Sequence, residues 1–493
     1  MIHAARSWVG LGILALLLSG CATSSPFNQD FVEVRTPNFV VTSSLGDEET
    51  LVLAQQLEFF HAGVLTALEL ERAPVNRVPS RVLAFDGRSL SRPFAPRAEP
   101  AYLMPSIDGA TFVFRAGREF RDRATPDIRH RYAHRVLRDL SGADHPLWYE
   151  EGAAQLAGTI ERQGSGVRIG AMADDHRRAV LDWRIEDLTS EFWRNDLSQQ
   201  SPTARRAFEA RAWAVVHTFG FADGAVTEKS SPFAKYRRAL ATGDEWEKKS
   251  TLSALRLGEP TLTQRVYAHL ENRRLRVRLI QLQGWKRDAI EVVPLGRAES
   301  RTRLGDLALE LAKPGVAEDY FERALDADSG YGRAHAGLAL VAVQEHRFDD
   351  IEGHARAALE TGGGDAQVQL RIADAYRLAG FEDPNVGRRV DWIESARRHY
   401  ERVLALERGS ALARVGMGAT HLTAGGDPEQ ARPWFEAAQA LRPGSLEITL
   451  WRARLEAALG AKGSAEAMAR EMVSRTHWRE LDRRGRAFID ALE

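Results

Sequence analysis

Two histidines and a glutamate stand where they could share one metal ion. His130 and His134 lie four positions apart in DIRHRYAHRVLRDL, and Glu151 follows His134 by 17 positions in HPLWYEEGAAQLAG. Side chains four apart on a helix share a face, so both imidazoles can reach one ion, and a carboxylate from the next helix can be a third ligand. Such a centre polarises a carbonyl and acidifies a bound water, but hydrolysis also needs a group that takes a proton. The residue after the first histidine is Arg131. A guanidinium stays protonated at any working pH and cannot do that work.

These residues need two consecutive helices, the second starting at Pro146, a residue type suited to a first turn. Gly152, Ala153 and Ala154 beside Glu151 are small. A glycine inside a helix costs about 1 kcal/mol, so this one marks the close approach of two backbones. Upstream, Phe31 to Ser43 reads as two short strands around the Thr36-Pro37-Asn38 turn. Asp47 to Leu70 has helical spacing, and Ser80 to Phe85 and Thr111 to Arg115 (TFVFR) read as strands. Phe208 to Phe219 is helical, with His217 expected to pack rather than to bind metal.

The whole assembly resembles the zinc site of gluzincin metallopeptidases, specifically the peptidase-MA-like group. There HExxH is followed by a helix reading W-x-x-E-G-x-A. Here the halves read HRYAH and, from Trp148 to Ala154, WYEEGAA. The resemblance implies an α+β fold: a zincin-like domain with a small mixed sheet plus helices over residues 31–295. It implies zinc as the cofactor, with His130, His134 and Glu151 as ligands, and no catalytic residue, because Arg131 stands at the glutamate position. In zincins the strand beside the site often binds an extended peptide, and TFVFR is a candidate. Glu150 as a substitute base points about 100° around its helix from Glu151. Two states of the site stay open. In one, zinc is bound and Arg131 swings to a carboxylate such as Asp127. In the other, neighbouring carboxylates satisfy both histidines and Arg131 pairs with Glu150 or Glu151.

Residues 1–20 read as a leader: Arg6, an apolar run from Val9 to Leu18, then Leu18-Ser19-Gly20-Cys21. This resembles the lipobox of bacterial lipoproteins. It implies lipidation at Cys21, a tether over 21–30, and a place in the cell envelope at the outer membrane, facing the periplasm. Cys21 is the only cysteine, so no internal disulfide or thiolate metal site is available.

From Arg301 the segments YFERALDAD, HARAALETG, HYERVLALE and WFEAAQALRP align on Ala324, Ala358, Val403 and Ala438. Two of the three intervals are close to 34 residues, and the long one contains Asp383 to Trp392, which reads as an inserted loop. These segments resemble tetratricopeptide repeats, which implies an all-α solenoid over 296–493 that binds a protein or peptide partner. Gly337, Gly380 and Gly460 are expected at turns or helix ends. A net charge of -1 shows no basic excess, so nucleic acid is not an expected partner. The combined reading is an envelope lipoprotein that binds without cutting. The competing readings are a zinc hydrolase with an unorthodox base and a scaffold in which only the repeats matter.

Overall fold

The computed structural model describes residues 29–68, 78–87, 91–94, 101–116, 125–141, 145–171, 196–221, 232–242, 261–271, 275–282 and 290–492 except 424, with isolated positions 27, 70, 178, 180–182 and 188. The leader and Cys21 lie outside the described residues, as does most of the tether. No helix among the described residues is long and apolar enough to cross a membrane.

The N-terminal part is built on a mixed sheet. Its strands are β1 (Phe31–Arg35), β2 (Phe39–Ser43), β3 (Ser80–Asp86), β4 (Ala101–Ser106), β5 (Gly109–Ala116) and the late β9 (Val292–Leu295), in the order β4-β5-β3-β2-β1-β9. β2, β3 and β5 run parallel, whereas β4 and β1 are antiparallel to their neighbours. A smaller sheet joins β6 (Glu161–Gln163), β7 (Gly166–Ile169) and β8 (Arg278–Gln281). The strands at 31–43, 80–86 and 109–116 match the alternation in the sequence. TFVFR lies inside β5, which pairs with β3 on one side and β4 on the other. It therefore has no free edge to offer a peptide, and the edge belongs to β4.

Both faces of this sheet are buried. Val82, Ala84, Phe112 and Phe114 point into a core with helix α1 (Asp47–Ala67), α2 (Thr125–Ser141), α3 (Leu147–Gly158) and α4 (Pro202–Phe221). Leu83, Phe85 and Val113, one residue out of phase, point the other way, as period-2 side chains must. There they meet Leu304, Leu307 and Tyr320 from the helical C-terminal region. Helices α5 (Pro232–Thr242) and α6 (Thr261–Glu271) contribute to the first of these cores.

The C-terminal region is an array of five helical hairpins: α7 (Arg297–Glu310) with α8 (Pro314–Ala327), α9 (Gly332–Gln344) with α10 (Ile351–Gly362), α11 (Ala366–Glu382) with α12 (Val386–Leu406), α13 (Ala411–Thr420) with α14 (Arg432–Leu441), and α15 (Leu446–Ala458) with α16 (Lys462–Arg475). A single helix, α17 (Arg479–Asp490), follows. Ala324, Ala358, Val403 and Ala438 all sit on second helices and are buried. The fifth hairpin escaped the repeat alignment. Asp383 to Trp392 is not a loop. The Asn385 side chain caps α12 by accepting from the Gly387 amide, and the extra residues lengthen that helix to 21 residues. Trp392 is buried and donates its indole N–H to Asp383 at 2.9 Å. Gly337 and Gly380 lie inside helices. A Cβ on Gly337 would overlap the Phe321 ring, and one on Gly380 would sit 2.5 Å from Ile393. They serve helix–helix approach, whereas Gly460, at φ +83°, does end a helix.

Helices of the first and fourth hairpins contact the sheet. Arg303 on α7 donates to Thr42 at 2.7 Å and pairs with Glu33, and Glu310 pairs with Arg81. Further along, Ile107 in the β4–β5 turn packs with Ala411 and Val415 of α13. Part of the repeat array is thus covered by the chain's own N-terminal part.

Candidate metal centre

His130 and His134 project from α2. That helix is held by Tyr132, whose hydroxyl lies 2.8 Å from His61 Nδ1 on α1 and whose ring packs near Phe39 and Phe112. Glu151 projects from α3, seated closely on α4. A Cβ on Gly152 would overlap the Ala212 carbonyl oxygen and fall 2.6 Å from Val216. Backbone cannot give way as a side-chain tip can, so Gly152→Ala is expected to destabilise the chain by about 1–3 kcal/mol. Thermal unfolding of that variant checks it, and an unchanged melting temperature would contradict the packing.

The three sequence-nominated residues converge. His130 Nε2 lies 2.8 Å from Glu151 Oε1 and 2.9 Å from His134 Nε2, and His134 Nε2 lies 3.3 Å from Glu151 Oε2. All three side chains are buried. A fourth group joins them: His477, in the link between α16 and α17, places Nε2 at 3.2 Å from Glu151 Oε2. One ligand atom from each of His130, His134, Glu151 and His477 lies within 4.8 Å of every other. His477 stands 326 positions from Glu151, and nothing in the local THWRE sequence marks it.

Glu150 is not a spare base. It is buried and accepts from His134 Nδ1 at 2.9 Å, Arg138 Nε at 2.5 Å and Arg475 Nη1 at 2.5 Å. Because the carboxylate accepts, Nδ1 of His134 carries the proton and Nε2 faces the cluster. Burial opposes the charge on Glu150, but Arg138 and Arg475 hold its carboxyl well below the usual range. Glu151 is likewise lowered, against burial, by the surrounding histidines. Burial lowers His130, whereas the two glutamates raise His134 in spite of burial. His477 is pushed down to about 3, chiefly by burial.

Arg131 does not pair with Glu150 or Glu151. Its Nε donates to Asp127 at 2.9 Å and its Nη1 to the His477 carbonyl at 2.7 Å. The cationic side chain turns away from the cluster and fastens the segment that brings His477 in. Arg138 Nη2 likewise donates to the Arg475 carbonyl at 2.8 Å, and Trp478 stacks on Tyr102 of edge strand β4 with ring centroids 6.2 Å apart. The link is extended at Thr476 and Trp478. It crosses the ground between α2 and β4.

His217 stays out of the cluster. It bonds His269 at 2.8 Å and the Gly170 carbonyl at 3.2 Å and stacks on Phe221, which makes it a packing residue. Beside the cluster is a cavity of about 780 Å³ lined in part by His130, Arg131, Gln155, Glu209, Trp213 and His477. The carboxyl of Glu209 is pushed up to about 8, by burial and then by the charge on Glu151.

The donor set suits zinc. Imidazole nitrogens and a carboxylate are ligands zinc takes in proteins, and the bond from His134 Nδ1 to Glu150 is the outer contact a metal-bound histidine ordinarily makes.

No protein-family model matches the chain, and no curated protein matches it. Solved structures that are similar to it are repeat proteins. A thermophilic TPR protein of Thermus thermophilus is 18% identical, with a TM-score of 0.35, over 38% of this chain and 97% of that one. PilF of Pseudomonas aeruginosa is 17% identical, with a TM-score of 0.30, over 40% and 88%. YrrB, a TPR protein with an unusual peptide-binding site, is 16% identical, with a TM-score of 0.26, over 38% and 92%. The hairpins themselves, rather than these distant likenesses, define the repeats of this chain.

Proposed function

We propose that this chain is a non-hydrolysing binding protein of the cell envelope. Its N-terminal part is a gluzincin-like domain that keeps the zinc ligands His130, His134 and Glu151 but has lost the proton acceptor. Its repeat array takes a protein or peptide partner. The observation that carries the reading is the engagement of Arg131: the residue at the acceptor position is a permanent cation tied to Asp127 and to the His477 carbonyl. Part of the array is covered by the N-terminal part, and the partner is received at the cavity beside the cluster and on the uncovered helices. The leader over residues 1–20, followed directly by Cys21, supports a lipid anchor in the outer membrane.

Peptide hydrolysis by the purified, zinc-supplemented protein tests this reading. No turnover is expected. Chelator-sensitive turnover that disappears in His134→Ala would overturn it. The anchor is tested separately, by labelling with a radioactive fatty acid in a Gram-negative host, where incorporation is expected to vanish in Cys21→Ala.

A second reading is favoured by Glu209, a raised carboxyl lining the same cavity as His130. In a zinc hydrolase that used it as proton acceptor, Glu209→Gln would abolish chelator-sensitive turnover while zinc uptake stayed unchanged. Turnover that survives in Glu209→Gln removes this reading.

A further inference from the structure

We propose that His477 is a fourth zinc ligand, so that His130, His134, Glu151 and His477 bind one ion in a closed centre that fastens the end of the repeat array to the N-terminal part. The proposal rests on the zinc reading above and adds the ligand which that reading lacks. Four-coordinate zinc with bonds of about 2.0–2.2 Å puts neighbouring ligand atoms roughly 3.3 Å apart. His130 Nε2 lies 2.8 Å from one Glu151 oxygen and 2.9 Å from His134 Nε2, His134 and His477 lie 3.3 Å and 3.2 Å from the other oxygen, and one ligand atom from each of the four lies within 4.8 Å of every other, so small side-chain shifts bring all four to one ion. Three ring nitrogens and a carboxylate oxygen turned toward one another are mutually repulsive acceptors unless protons or a cation lie between them.

The ligands come from three separated pieces of chain, and they are held from behind. His134 is held by Glu150, which Arg138 and Arg475 hold in turn. His477 is held through its own carbonyl by Arg131 and, one residue on, by the stacking of Trp478 on Tyr102. Arg475 also donates to the His145 carbonyl at 3.0 Å, which ties the same link to the start of α3. This backing is what fixes ligands in a structural site. Catalytic zinc keeps one position open for water or substrate, whereas structural zinc is closed by four protein ligands. His477 takes the position that water would need. The substitution at Arg131 and the arrival of His477 then belong to one arrangement, because the arginine at the acceptor position bonds the main chain of the fourth ligand.

The test uses the full chain, stripped with a chelator and dialysed against zinc chloride alone. The expected result is one zinc per chain, an X-ray absorption spectrum showing three imidazoles, and a lower melting temperature for the stripped protein. Removing an outer contact of a metal site costs about 10–100-fold in affinity, so removing a direct ligand in His477→Ala is expected to cost roughly 100-fold or more. One imidazole should also leave the spectrum. His477→Cys, which keeps a ligand at this position, should bind zinc with one sulfur in its shell. Unchanged affinity and imidazole count in His477→Ala, or no sulfur signal in His477→Cys, would overturn the fourth ligand and leave the three-ligand reading standing. A wild-type chain that takes up no zinc would overturn both.

Discussion

Glu150→Gln is expected to lower the stability of the chain by about 3 kcal/mol, the lower end of what breaking a buried ion pair costs. The carboxylate is almost wholly enclosed and accepts from three donors, while the two guanidinium partners, Arg138 and Arg475, keep slight exposure. A neutral amide leaves both cations without their counter-charge and turns an N–H₂ toward one of the former donors. One partner comes from the histidine helix and the other from the end of α16, so the damage also loosens the seam between the two parts. Urea unfolding followed by circular dichroism gives the number, and a change under about 1 kcal/mol would show that the network is not what holds the seam. The pH dependence has a definite sign. The folded carboxyl titrates well below its ordinary value of 4.5, so its contribution is fully present above that pH and is lost as pH falls through the folded value. Glu150→Gln should therefore show a flatter loss of stability below about pH 4.5 than the parent.

On the proposed gluzincin-like reading Arg131→Glu supplies a proton acceptor, yet by itself it is expected to yield no peptide hydrolysis. Position 131 faces Asp127 and the His477 carbonyl. A glutamate there meets a carboxylate and a carbonyl oxygen, two acceptors with no donor between them, and it finds the fourth ligand position already taken by His477. Restoring the acceptor and freeing that position together, in Arg131→Glu with His477→Ala, should raise chelator-sensitive cleavage by at least about 10²-fold over either single change, the lower range for a positioned general base. Cleavage of a mixed peptide library, read by mass spectrometry with and without chelator, measures it. Full activity in the Arg131→Glu single variant would show that His477 does not block the centre.

Much of the histidine site could be read from residue types. The i, i+4 spacing placed two imidazoles on one face, the small residues around Gly152 announced a close helix contact, and the fixed charge of Arg131 ruled out proton transfer by that residue. These are local properties, set by helix period, side-chain volume and acid strength. The repeats were legible for the same reason: three alanines and a valine, with two of their three intervals near 34 residues, mark where second helices pack. Reading failed where one local pattern permits two structures. The stretch from Asp383 to Trp392 has turn-forming residues at its start only, and the remainder continues as helix because Trp392 buries itself on the hairpin. Gly337 and Gly380 carry the composition of a turn but the task of a close helix contact.

Residue types and spacing were enough to nominate His130, His134 and Glu151 on two neighbouring helices as one cluster. They were not enough to say where Arg131 turns, what Glu150 neutralises, or that a histidine more than 300 residues downstream of Glu151 completes the cluster; the packed chain settles all three. Period and composition describe a residue's neighbours along the chain, whereas contact across the sheet depends on which surfaces exclude water together. Here both faces of the sheet are buried, Val82 and Ala84 against the histidine-bearing helices, Leu83 and Phe85 against the repeats. The repeats pack on that second face, and the segment after α16 lies on the histidine helix through Arg131 and Arg138.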